Sequence, residues 1–165
     1  MSKELKLLEK IMLVIPGFRG YKKRELIRED DKLVREKVAS MLDDARRELE
    51  RIMPLALPLM GADVEQMDRL RKKLMMVSSK IRHAEHGYAG YFDRIKVEER
   101  ELMKLYEYDY KLIKQAKQIL RGVKELRKCL GDKGRMLSEV LSLTLMIGEL
   151  DDLIIRRDRM FKVEG

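Results

Sequence analysis

The sequence predicts an all-α protein: an elongated up-and-down four-helix bundle with a short extra N-terminal helix. Three observations predict it. Apolar residues recur at steps of three and four along almost the whole chain, the spacing of one face of a helix. No alternating apolar and polar run bounded by turn residues stands out, so strands are not needed. Pro and Gly number only 3 and 10 in 165 residues, too few for a β-sandwich with turns at short intervals. One domain, residues 1–165, accommodates this length.

Each element follows from its own pattern. Leu5, Leu8, Met12 and Ile15 mark a short first helix, which Pro16-Gly17-Phe18-Arg19-Gly20 ends. A second helix is expected from Tyr21 to Met53, with a stripe through Ile27, Val34, Val38, Met41, Ala45, Leu49 and Ile52. Pro54 and Pro58 should break or kink it before Gly61. Asp63 is a good N-cap for a third helix, whose seam is Met67, Leu70, Leu74, Val77, Ile81 and Ala84. A fourth helix is expected from Val97 to Leu130, with Leu102, Leu105, Asp109, Leu112, Ala116, Ile119, Val123, Leu126 and Leu130 on its seam. Gly131 suits the residue after a helix end. The fifth, from Arg135 to Phe161, carries Met136, Val140, Leu143, Ile147, Leu150, Ile154 and Phe161. Leu137, Leu141, Leu145 and Met146 make it apolar nearly all round, as a helix surrounded by others requires. Short connections imply antiparallel neighbours. Seam repeats close to 3.5 residues imply coiled-coil-like packing at shallow angles.

Composition bounds the function. Charged residues make up 40% of the chain and hydrophobic ones 45%, with a net charge of +8. Apolar content this high, and periodic, argues against disorder. The positive balance permits anionic partners. Asn is absent and Thr144 is the only Thr, a thermophile-like usage. Cys129 is the only Cys, which excludes an intramolecular disulfide. The charged start, Met1 to Lys10, does not read as a signal peptide. The most apolar run, Val140–Ile147, is far shorter than a membrane span. A cytoplasmic protein is expected.

Several motifs carry a resemblance. Ile15-Pro16-Gly17-Phe18-Arg19-Gly20-Tyr21-Lys22 is followed by Arg24, Glu25, Arg28, Asp31 and Arg35. Arg82-His83 precedes Gly87-Tyr88-Ala89-Gly90-Tyr91-Phe92-Asp93, then Lys96 and Glu99, and Leu105-Tyr106-Glu107-Tyr108-Asp109 completes the set. Over Ile15–Asp109 the chain resembles an uncharacterised family of helical proteins from bacteria and archaea. The resemblance implies a helical fold and carries no chemistry with it.

The candidate sites are read from the residues. Asp109 takes a core position in an apolar seam, where an unpaired carboxylate is costly. It should therefore find an Arg, a His, a Tyr hydroxyl or a helix N-terminus. The second-helix seam also passes through Asp30 or Asp31, near Arg24, Arg28 and Arg35. A buried polar cluster of Asp109, Asp31, His83, His86 and Tyr88 is expected, serving helix register or, less conventionally, a small ligand. His83 and His86 are the only histidines and lie three apart. Glu85 or Asp93 could assist them, yet the set is short of a usual metal site, so no metal and no cofactor is expected. Lys114, Lys117, Arg121, Lys124 and Lys128 share one face of the fourth helix, opposite the Asp109 seam. Such a stripe serves either as a solvated face or as a polyanion-binding surface. No nucleophile constellation is present, so the chain does not read as an enzyme. The leading functional expectation is a helical interaction or structural module with a protein partner or a second copy of itself. Nucleic-acid binding through the stripe is the alternative, and a metal or ligand site near Asp109 and His83 is the third reading.

Overall fold

The computed structural model describes residues 3–20, 24–84 and 99–160, and every regular element among them is helical. A short helix α1 (Lys3–Val14) precedes four long ones: α2 (Arg24–Met60), α3 (Val64–His83), α4 (Glu99–Glu125) and α5 (Lys133–Met160). At 1.5 Å per residue α2 is about 55 Å long. Tight turns of 3-10 type, Gly61–Asp63 and Leu126–Cys129, separate α2 from α3 and α4 from α5. Of the residues singled out above, Met1, Tyr21, Lys22, Glu85, His86, Gly87, Tyr88, Ala89, Gly90, Tyr91, Phe92, Asp93, Lys96, Val97 and Phe161 lie outside the described residues.

The periodic positions become the core. Val34, Val38, Leu42, Ala45, Leu49 and Ile52 of α2 are fully buried. They meet Met67, Leu70 and Leu74 of α3, Ala116, Ile119 and Val123 of α4, and Met136, Val140 and Ile147 of α5 in one cluster. Burial of so many aliphatic side chains is the main favourable term in folding. Ile11, Ile15 and Phe18 bring α1 and the loop after it into the same core.

Side-chain contacts fix how the helices run. α2 packs on α3 and α4, α5 packs on α4 and α3, and α1 packs on α4. α2 and α3 are antiparallel: Asp43 meets Ser78 and Arg82, whereas Glu50 approaches Arg71. α4 and α5 are also antiparallel, with Asp109 at Arg157 and Gly122 against Leu143. The other two neighbouring pairs are parallel. Glu48 meets Arg127 at the far end of the α2–α4 pair from Asp31 and Asp109. Asp63 meets Lys133, and Lys80 meets Asp151, along α3 and α5. The expectation of antiparallel neighbours throughout is therefore corrected. Two antiparallel hairpins lie side by side, and α3 and α4, consecutive in the chain, are not principal neighbours.

Local details also differ from the sequence expectation. α2 runs through Pro54 and Pro58 to Met60 rather than stopping at Met53. Both prolines are exposed and four apart, so they share the solvent face. Each proline removes one helical N–H donor, while Ile52, Ala56 and Met60 on the opposite face stay buried. Asp63 makes no side-chain cap on α3, because its carboxylate binds Lys133 instead. Gly131 is not left-handed; Gly61, with φ 55°, takes that conformation at the end of α2. Asp132 caps α5 by accepting the Arg135 backbone N–H at 3.0 Å. α5 is not surrounded: Leu141 and Leu145 are exposed on its outer side.

Candidate functional site

The most unusual interior feature is a group of charges on three helices. Asp109 lies on the apolar seam of α4 and is 0% exposed. Arg157 lies on the inner face of α5, one turn after Ile154, and is 2% exposed. Its Nε donates to Asp109 Oδ1 at 2.7 Å, and its Nη2 donates to Asp31 Oδ1 at 2.6 Å. Arg35, one turn after Asp31 on α2, donates from Nη2 to Asp31 Oδ2 at 2.6 Å. One guanidinium thus ties α5 to both α2 and α4. Charge-assisted hydrogen bonds of this length are the strong ones, and the planar guanidinium fixes their direction.

Asp30 completes the group from the next position of α2. Its Oδ1 accepts the backbone N–H of Arg19 at 3.1 Å, which ties the loop after α1 to α2. Phe18, just before it, is buried and meets Tyr106 of α4 edge-on at 6.4 Å. The left-handed Gly20 lies close to Leu8 and the Tyr106 hydroxyl, where a Cβ would come within 3.0 Å of that oxygen. The loop is therefore a plug beneath the charged group rather than an anion cradle.

The carboxyls titrate in opposite directions. Burial pushes the Asp31 carboxyl up, but the Arg157 and Arg35 guanidiniums beside it hold it below its ordinary value. Burial pushes Asp30 up; the Arg19 backbone N–H resists this, and the negative Asp109 adds to it. Asp30 Oδ2 has no hydrogen-bond partner among the described residues. A carboxyl lowered on folding stabilises the fold above its unfolded pKa, and the contribution is lost as pH falls through the folded value. A carboxyl raised on folding does the reverse: its contribution is full at low pH and lost as pH rises through the raised value. Asp30→Asn keeps an acceptor for Arg19 and removes the ionisable group. It is expected to be more stable than the wild type at neutral pH, by on the order of 1 kcal/mol. The advantage should shrink toward acid pH as wild-type Asp30 protonates. Urea unfolding at a series of pH values measures it; a constant difference at every pH would show that Asp30 does not titrate in this way.

Among the expected cluster residues, Asp109 and Asp31 are brought together through Arg157. His83 is not: it is exposed at the end of α3. Among the described residues no three His, Cys, Asp or Glu side chains are grouped to hold a metal ion. Arg157 was not singled out by the sequence reading. The signal was present, because the step from Ile154 to Phe161 passes over position 157 on the same stripe.

The remaining features lie on the surface. Lys114, Lys117, Arg121, Lys124 and Lys128 are all exposed. An apolar groove of 530 Å³ runs between the end of α2 and the start of α3, lined by Met53, Pro54, Leu57 and Val64 with Glu50 and Arg71. On α5 the uncharged run Val140–Gly148 reaches solvent at Leu141 and Leu145, 46% and 71% exposed. Cys129 is buried. No described helix is long and apolar enough to cross a membrane. No protein-family model, no curated protein and no solved structure matches this sequence.

Proposed function

We propose that this protein is a non-catalytic helical interaction module of the cytoplasm, an elongated four-helix bundle of up-down-up-down chain order whose outer α5 face receives a protein partner. The observation that carries the reading is the exposure of Leu141 and Leu145 on a helix segment without a charge. In a chain with 40% charged residues, most outer helix faces are charged, so an uncharged outer segment is out of keeping with its surroundings. Apolar surface of this kind, rimmed by polar residues, marks interaction sites more often than solvated surface. Ser138, Ser142 and Glu149 are exposed around it. The buried charges support a scaffold role as well. Each is closed off from solvent, and Arg157 joins three helices in one register.

The test is co-purification from the native host at high salt, where screened charge contacts are lost and apolar ones persist. The wild type is expected to retain a protein partner or a second copy under those conditions. Leu141→Glu with Leu145→Glu is expected to release it while leaving the melting temperature nearly unchanged, since both side chains already face water. A wild type that recovers nothing and sediments as a monomer at high salt overturns the reading.

A further inference from the structure

We propose that the basic face of α4 and its 3-10 continuation binds the phosphate backbone of double-stranded nucleic acid without regard to sequence. The cations there are not balanced by their neighbours. Lys114, Lys117, Arg121 and Lys124 form no ion pair with any described residue, although all four are exposed. On α2 and α3 most described cations are paired instead: Arg46, Arg47, Arg51, Arg69, Arg71, Lys72, Lys80 and Arg82 each meet a carboxylate. The unpaired ones there, such as Lys32 and Lys73, do not line up at every turn as the α4 cations do.

Several acids near the stripe are already engaged. Glu107 on α4 binds Lys3, and Glu125 binds Lys128. On α2, the helix packed alongside, Asp44 binds Arg47, and Glu48 binds both Arg51 and Arg127. At the upper end Lys10 of α1 adds a further cation, 5.1 Å from the centre of the Tyr110 ring, one turn before Lys114. The result is a straight row of cations about 20 Å long, with a charge at every helical turn. Along a duplex that length spans about six phosphates of one strand.

The same face argues against two other anionic surfaces. A helix that lies on a membrane embeds an apolar side next to its basic one. On α4 and its continuation Leu112, Ile113, Ile119, Val123 and Leu126 are all buried in the core, and the exposed Met12 and Leu13 belong to α1 and not to the helix that carries the row. Single strands are held by bases stacked on exposed aromatic rings. Tyr106 is buried, and Tyr108 and Tyr110 are half-buried, with Lys10 over Tyr110. Among the described residues the row carries no exposed stacking ring, which matches a phosphate backbone whose bases stay paired.

The experiment uses the full chain and three probes: a short mixed-sequence DNA duplex, one of its single strands, and acidic lipid vesicles. Fluorescence anisotropy or co-sedimentation is followed over a salt series. The duplex is expected to bind most tightly, with a log–log salt slope of roughly −3.6 for four phosphate contacts. Lys117→Glu, Arg121→Glu and Lys124→Glu together are expected to weaken duplex binding at least ~10-fold and to flatten the slope by about three units. The control is Lys32→Glu, Lys73→Glu and Arg156→Glu, exposed residues off the stripe that change the net charge equally. It should weaken binding far less. Absent duplex binding, equal losses in the two variants, or tighter binding of single strands or vesicles each overturns the proposal. All six positions are exposed, and circular dichroism confirms that both variants remain helical.

Discussion

Arg157→Met is expected to destabilise the protein by about 3–5 kcal/mol, because it removes the guanidinium that two buried carboxylates share. Asp109, on an apolar seam, loses the guanidinium at 2.7 Å. Asp31 loses one of its two guanidiniums but keeps Arg35 at 2.6 Å. Both carboxylates lose a charge-assisted bond, and the Asp109 side gives the prediction a second, sharper form. Changing Asp109 to Leu in the same chain removes one of the two buried acids and extends the apolar seam. The double variant is expected to recover a substantial part of the loss, since buried ion pairs replaced as a unit by apolar residues are often close to neutral. The cycle through Arg157→Met, Asp109→Leu and the double variant, read by denaturant unfolding, isolates the coupling. Strictly additive losses would mean that the two side chains act independently, contrary to the contact.

Phe18→Ala is expected to cost about 3–5 kcal/mol if the whole molecule unfolds as one unit. The ring is buried against Ile11, Ile15 and Tyr106, and its loss leaves a cavity at the base of the loop. The adjacent Arg19 N–H would also hold Asp30 less firmly. A second outcome is built into the topology. α1 packs principally on α4, so α1 and the loop can open while the four long helices stay folded. In that case the melting temperature moves less than the full cost, and the loss appears as faster amide exchange over α1. A variant with unchanged melting and unchanged α1 exchange would show that Phe18 is not the plug.

Much of this architecture is legible residue by residue. Among the described residues the seams of α2, α3 and α4 bury the side chains that their spacing of three and four selects, with Ala84 and Leu130 half-buried at the ends, because that spacing is a local property of the helix. Asp109 was conspicuous for the same reason, an acid at an apolar position. Its partner was less so. Arg157 lies 48 residues away in sequence, and an arginine late in a helix reads as an ordinary surface cation until a facing carboxylate is known. The prolines of α2 show the opposite failure. Local rules end the helix there, but Pro54 and Pro58 both face water, and the apolar face opposite continues to Met60. The outer leucines of α5 likewise read as core, since composition alone does not say how many neighbours a helix has.

Sequence alone specifies that the chain is helical, which face of each long helix turns inward, and that an acid sits on one of those faces. These follow from periodicity, which acts between residues within two turns of one another. Folding in three dimensions sets which helices lie side by side and in which direction. It pairs Asp109 and Asp31 with one guanidinium, leaves His83 outside that group, and leaves the α4 cations and the α5 leucines facing water. Those outcomes depend on contacts between residues far apart in the chain. They are selected by the joint packing of the core and by the cost of leaving a buried charge unmatched, not by any local pattern.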